Sequence, residues 1–125
     1  MSWILIADGD AGVRHFLRSL LIGAGYEVSE ACSSKDALSL LREAAFDLVI
    51  IDMVMQEHEG FETLRQLRKN HPHLKIVVTC GSFKDANFGE VLLRIAGALG
   101  ARGTLDKPLN APMVLETVRT VLDSQ

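Results

Sequence analysis

Short runs of Ile, Val and Leu alternate along this chain with longer stretches whose apolar residues recur at helical spacing, and that alternation narrows the available folds more than any other feature. Five runs read as strands: Trp3 to Ala7, Glu27 to Ala31, Leu48 to Ile51, Lys75 to Val78 and a weaker Gly103 to Leu105. The first, third and fourth are almost uninterrupted in their hydrophobicity, as strands covered on both faces require, so they are expected at the centre of a sheet.

Each intervening stretch carries a helix with its own start and stop signals. Val13, Phe16, Leu17, Leu20 and Leu21 form a stripe at helical spacing; Asp10 can cap its start, and Gly23 and Gly25 bracket its end. A second helix begins near Ser33 and Ser34, with Asp36 in its first turn, and turns Ala37, Leu38 and Leu41 inward. A third runs from about Phe61 through Leu64 and Leu67 and ends before Pro72. The fourth sets Phe88, Val91, Leu92, Ile95 and Leu99 on one face and closes at Gly100. The last starts after Asn110 as cap, takes Pro112 in its first turn and buries Val114, Val118 and Val121.

Five strands alternating with five helices predict a doubly wound α/β domain, a five-stranded parallel sheet with helices on both faces, because each crossover is short and right-handed. The order 2-1-3-4-5, flavodoxin-like, fits the element count, and 125 residues are enough for one domain spanning 1–125. A composition of 48% hydrophobic and 23% charged residues is that of an ordinary soluble globular chain. The net charge of -3, with basic residues scattered, leaves no electrostatic footprint for nucleic acid. Asp8 interrupts the first apolar run too early for a signal peptide or membrane span, which predicts a cytoplasmic protein without membrane contact. Cys32 and Cys80 have no metal or redox spacing and are expected to be packing thiols.

In such a sheet, ligands gather outside the carboxyl ends of the strands, where the winding direction reverses. The polar residues at those ends are Asp8, Asp52, Thr79 and, just past the fifth run, Lys107. Two carboxylates about 4 Å apart repel by several kcal/mol even at an effective dielectric of about 20, so a cation is expected between them. Oxygen-only donors in a hydrated cleft suit Mg²⁺. A nucleophilic carboxylate, a divalent cation, an ammonium and a hydroxyl are the parts needed to move a phosphoryl group onto Asp.

Here the chain resembles the receiver domains of two-component response regulators. The string Asp52-Met53-Val54-Met55 followed by Gly60, the Thr79 after Val77 and Val78, and the pair Lys107-Pro108 match that family's motifs, and the match spans nearly the whole chain. The resemblance implies the (βα)5 receiver fold and phosphorylation of Asp52 by a histidine kinase or phosphotransfer protein. It implies Mg²⁺ held by Asp8, Asp52 and the backbone carbonyl of Val54, and Lys107 and Thr79 contacting the phosphoryl group. It also implies a cis peptide before Pro108, a downstream protein that reads the switched face, and a monomer or weak homodimer.

Several residues depart from the family pattern. Receivers usually end their first strand on two consecutive acidic residues, whereas this chain has Asp8-Gly9-Asp10, with Gly9 where a ligating carboxylate is expected. That weakens Mg²⁺ binding unless water fills the place, Asp8 moves in, or Asp10 reaches back across the glycine, although Asp10 is better explained as a cap. Gln56 stands where proline is common, Thr104 replaces the usual rotating aromatic, and the segment from Thr79 to Lys107 is long enough to predict an extended fourth helix. Two other functions compete: a degenerate receiver acting as a phosphorylation-independent interaction module, and a haloacid dehalogenase-type phosphatase with Asp8 as nucleophile. The second lacks room for that family's cap and leaves Asp52 without a purpose. Met53 and Met55, Glu57 and His58, and His71 and His73 read as packing or loop residues.

Overall fold

The computed structural model describes residues 2–53, 60–81 and 86–124. Five strands, β1 (Trp3–Ala7), β2 (Glu27–Ala31), β3 (Leu48–Asp52), β4 (Lys75–Cys80) and β5 (Gly103–Asp106), alternate with α1 (Ala11–Gly23), α2 (Ser34–Glu43), α3 (Gly60–Asn70), α4 (Ala86–Ala98) and α5 (Ala111–Asp123). The sheet is parallel throughout and ordered β2-β1-β3-β4-β5, as the alternation predicted. Strands β3 and β4 run slightly past their apolar runs, so Asp52 and Thr79 are themselves sheet residues and face each other in register.

Alternation along each strand builds two cores. Leu5, Val49, Ile51, Ile76 and Val78 point to the face covered by α2, α3 and α4, where Ala37, Leu41, Leu64, Leu67 and Ala96 meet them. Ile4, Ile6, Leu48, Ile50 and Val77 point to the other face and pack on Leu17 and Leu21 of α1 and Val114, Val118 and Val121 of α5. Each fully buried Leu, Ile or Val contributes about 1.5–3 kcal/mol, which makes the three central strands a rigid base for whatever their ends carry.

The helix ends follow their local chemistry. Asp10 caps α1 by accepting the N–H groups of Gly12 and Val13, Ser33 caps α2 through Asp36 N–H, and Asn110 caps α5 through Met113 N–H. Helix α4 stops where Gly100 takes a φ of 110°, and the amides of Leu99, Gly100 and Ala101 turn back onto the last carbonyls of the helix.

Two expectations need correction. The spacing that sets Val91 and Ile95 on one apolar face of α4 does not make that face the inner one: they are 45% and 41% exposed, and among the described side chains of the helix it is Ala96 that is fully buried. The helix is apolar on more than one side, so spacing alone does not single out its inner face; the small Ala96 lets it approach the sheet. Helix α4 has 13 residues, as many as α1 and α5, and the expectation of a longer helix also falls on residues 82–85, which lie outside the described residues. Cys80 is a buried packing thiol, but Cys32, lying just beyond β2, is exposed. Among the described residues, no helix is long and apolar enough to cross a membrane.

Candidate functional site

Four of the residues singled out in the sequence meet at the carboxyl edge of the sheet. Asp8 follows β1, Asp52 ends β3, Thr79 lies near the end of β4, and Lys107 follows β5. Three are nearly enclosed: Asp8 is 3% exposed, Asp52 7% and Thr79 1%. The Lys107 ammonium reaches in to donate to Asp8 Oδ2 at 2.8 Å and to Asp52 Oδ2 at 3.0 Å.

Burial by itself lowers the Lys107 pKa, but the hydrogen bond to Asp8, the charge and hydrogen bond of Asp52 and the charge of Asp8 outweigh it. The net shift is upward, so the ammonium stays charged. Lys107 is fixed from its backbone as well, its N–H donating to Cys80 O at 2.9 Å, and the Lys107-Pro108 peptide is cis. Thr79 Oγ1, on the strand residue in register with Asp52, is buried and has no hydrogen-bond partner among the described residues. A buried hydroxyl in that condition costs about 1–3 kcal/mol, so a ligand that accepts its hydrogen bond would recover that cost. Burial, followed by the charges of Asp52 and Asp106, pushes the Cys80 thiol upward despite the opposing charge of Lys107.

Asp8 is held at every polar atom. Its N–H donates to Ala31 O at 3.1 Å, its carbonyl accepts from Arg14 at 2.6 Å, Oδ1 accepts the Asp10 N–H at 2.8 Å, and Oδ2 takes Lys107. The Asp10 side chain is engaged at the start of α1 and borders a cavity of about 310 Å³ that it shares with Phe16, Lys107 and Pro108. Thr104 is exposed on β5, in register with Val78. Val54, Met55, Gln56, Glu57 and His58 lie outside the described residues.

Sequence reasoning missed Glu30. This β2 residue holds Arg14 Nε at 3.4 Å and Arg18 at 3.5 Å. A glutamate among partly buried strand residues carries no spacing signal to mark it, and only the pairing of β1 with β2 brings it beside α1.

The donors suit a small hard cation. Two buried carboxylates and an orphaned hydroxyl supply oxygen only, and so few protein ligands would leave most positions to water and substrate, as Mg²⁺ prefers. Among the described residues, no group of three or more His, Cys, Asp or Glu side chains could hold a metal.

Residues 4–119 match the family model described as the response regulator receiver domain, and the chain belongs to that family. The transcriptional regulatory protein ZraR of Salmonella typhimurium is 36% identical over 119 residues, covering 95% of this chain. The sensor kinase CckA of Brucella abortus is 35% identical over 124 residues, and the chemotaxis protein CheY of Thermotoga maritima 29% over 119. The chain spans 26% of the length of ZraR and 12% of CckA, but 95% of the chemotaxis protein. Among solved structures, the receiver domain of NtrX from Brucella abortus superposes with a TM-score of 0.88 at 25% identity, covering 98% of this chain and 99% of that one. A CheY-like receiver domain protein from Methanospirillum hungatei superposes with a TM-score of 0.84 at 28% identity, covering 98% and 94%. The chain is therefore a signalling domain of the two-component class, and phosphorylation on Asp and Mg²⁺ binding at that site are general properties of its family.

Proposed function

We propose that residues 1–125 form one receiver domain that accepts a phosphoryl group on Asp52 from a histidine kinase or phosphotransfer protein and passes the change to a downstream protein. One observation carries this reading: a single ammonium, Lys107, is bonded to both Asp8 and Asp52, at the rim that also holds the buried hydroxyl of Thr79, which has no partner among the described residues. In the transfer, an Asp52 carboxylate oxygen forms a bond to phosphorus. The bond from phosphorus to the donor's histidine nitrogen breaks, and that nitrogen keeps the electron pair and takes up a proton.

The new group brings about two negative charges. Lys107 then exchanges a carboxylate for a phosphoryl oxygen, and Thr79 Oγ1 gains the acceptor it lacks. Asp8, Asp52 and the carbonyl of Val54 would hold Mg²⁺, which when bound neutralises charge on the phosphoryl oxygens. Both rearrangements pull on the ends of β4 and β5, adjacent to α4, whose exposed Val91 and Ile95 offer apolar surface for a partner to read. The family's rotating aromatic has no counterpart in the exposed Thr104, so the signal runs through Thr79 and Lys107.

The test is incubation with Mg²⁺ and acetyl phosphate followed by intact mass measurement. One added phosphoryl group, abolished by Asp52→Asn, is the expected result. Gly9 favours the alternative of a phosphorylation-independent interaction module, and absence of transfer at any Mg²⁺ concentration would establish it. Transfer that survives Asp52→Asn but is lost in Asp8→Asn would point to the phosphatase reading.

A further inference from the structure

Receivers usually present two acidic residues at the end of the first strand; this chain has only Asp8 there, followed by the conformationally free Gly9. The direction of one carboxylate therefore matters more than usual, and the residue after it supplies no stiffness. What fixes it is a clamp built from the neighbouring strand. Ala31 O of β2 takes the Asp8 N–H, while Glu30, the residue before Ala31, holds Arg14, which donates to the Asp8 carbonyl at 2.6 Å. Both backbone polar groups of Asp8 are thus tied to consecutive residues of β2, one directly and one through Arg14.

Arg14 is suited to this by shape. Its side chain is only 18% exposed, and its planar fork gives Nε to Glu30 and a terminal nitrogen to Asp8 O at the same time, which a lysine ammonium on a flexible stem does not reproduce. Arg18, 46% exposed, contributes to Glu30 at 3.5 Å without touching Asp8. With the backbone held, the Asp8 carboxylate accepts Asp10 N–H on one oxygen and Lys107 on the other.

We propose that Arg14, locked by Glu30, is a positioning residue that aims the Asp8 carboxylate into the site, replacing rigidity that the turn loses at Gly9. The proposal rests on the phosphorylation reading for its effect on Mg²⁺ use, and on the hydrogen bonds alone for its effect on the turn. Two readouts separate these. Amide hydrogen exchange at Asp10 reports its bond to Asp8 Oδ1 in the unphosphorylated protein. In Arg14→Met and Arg14→Lys that exchange should quicken by about tenfold, the usual scale for a charge-assisted bond, and stay unchanged in Arg18→Met. The Mg²⁺ concentration giving half-maximal phosphorylation by acetyl phosphate should rise several-fold, while the rate at saturating Mg²⁺ stays within about twofold of the parent.

Unchanged Asp10 exchange in both Arg14 variants would overturn the clamp. So would a fall in the saturating rate with no change in Mg²⁺ requirement, which marks general damage rather than misdirection of one ligand. Glu30→Gln, which keeps Arg14 but weakens its lock, repeats both measurements if the Arg14 variants do not fold. A parent protein that takes no phosphate sinks the proposed function, and the exchange comparison still decides the clamp.

Discussion

Replacing Lys107 by Met keeps most of the side-chain stem but removes the ammonium from between Asp8 and Asp52. The two Oδ2 atoms, bonded to one nitrogen at 2.8 and 3.0 Å, are left facing each other. At a separation of about 5 Å and an effective dielectric of about 20, two unit charges repel by roughly 3 kcal/mol, and the attraction each carboxylate had for the ammonium is lost as well. Removing one partner of a fully buried pair costs about 3–5 kcal/mol. Lys107 keeps 16% of its side-chain surface in water, so solvent screening reduces the expected loss to about 2–3 kcal/mol at neutral pH without divalent cation. In urea, with a slope of about 1–3 kcal/mol per molar, that is a midpoint lowered by about 1 M. Millimolar Mg²⁺ should restore much of the loss, because a cation binding only the folded site stabilises it by mass action. A variant that unfolds at the parental midpoint and is indifferent to Mg²⁺ would refute the electrostatic reasoning.

Lys107 also predicts a pH dependence. Its folded pKa is raised, so its stabilisation is complete below the ordinary lysine value and is lost only as pH rises through the higher folded value. The stability gap between parent and Lys107→Met, measured by urea unfolding, should stay flat from neutral pH to about pH 10 and shrink above it. In thiol labelling with iodoacetamide at mildly alkaline pH, the exposed Cys32 should react and Cys80, buried with its pKa raised, should resist until the protein unfolds; equal rates would contradict the packing described for β4. Gly100→Ala should lower stability by about 1–2 kcal/mol in urea unfolding, because φ is 110° and the added Cβ would sit 2.8 Å from Arg68 Cδ.

Strand order, helix caps and the residues converging on the rim were legible in the sequence because each rests on a local signal. Apolar runs mark β1, β3 and β4, Asp10, Ser33 and Asn110 mark helix starts, and the carboxyl ends of the strands mark Asp8, Asp52 and Thr79. What escaped was decided by tertiary contact. The inner face of α4 depends on Ala96 approaching the sheet, and no periodicity separates that residue from Val91 or Ile95 in a helix apolar on several sides. The exposure of Cys32 depends on the position of β2 at the edge of the sheet. Glu30 becomes part of the site's support only because β2 pairs with β1 and α1 lies across both.

Phosphoryl transfer to one carboxylate at the sheet's edge is the claim on which the functional reading depends, and mapping the modified residue tests it most directly. After reaction with acetyl phosphate and Mg²⁺, borohydride reduces an aspartyl phosphate to homoserine, and peptide mass spectrometry then reports the position. Homoserine at position 52 alone is the predicted result; homoserine at position 8, or none in a protein that has been shown to be folded, contradicts it.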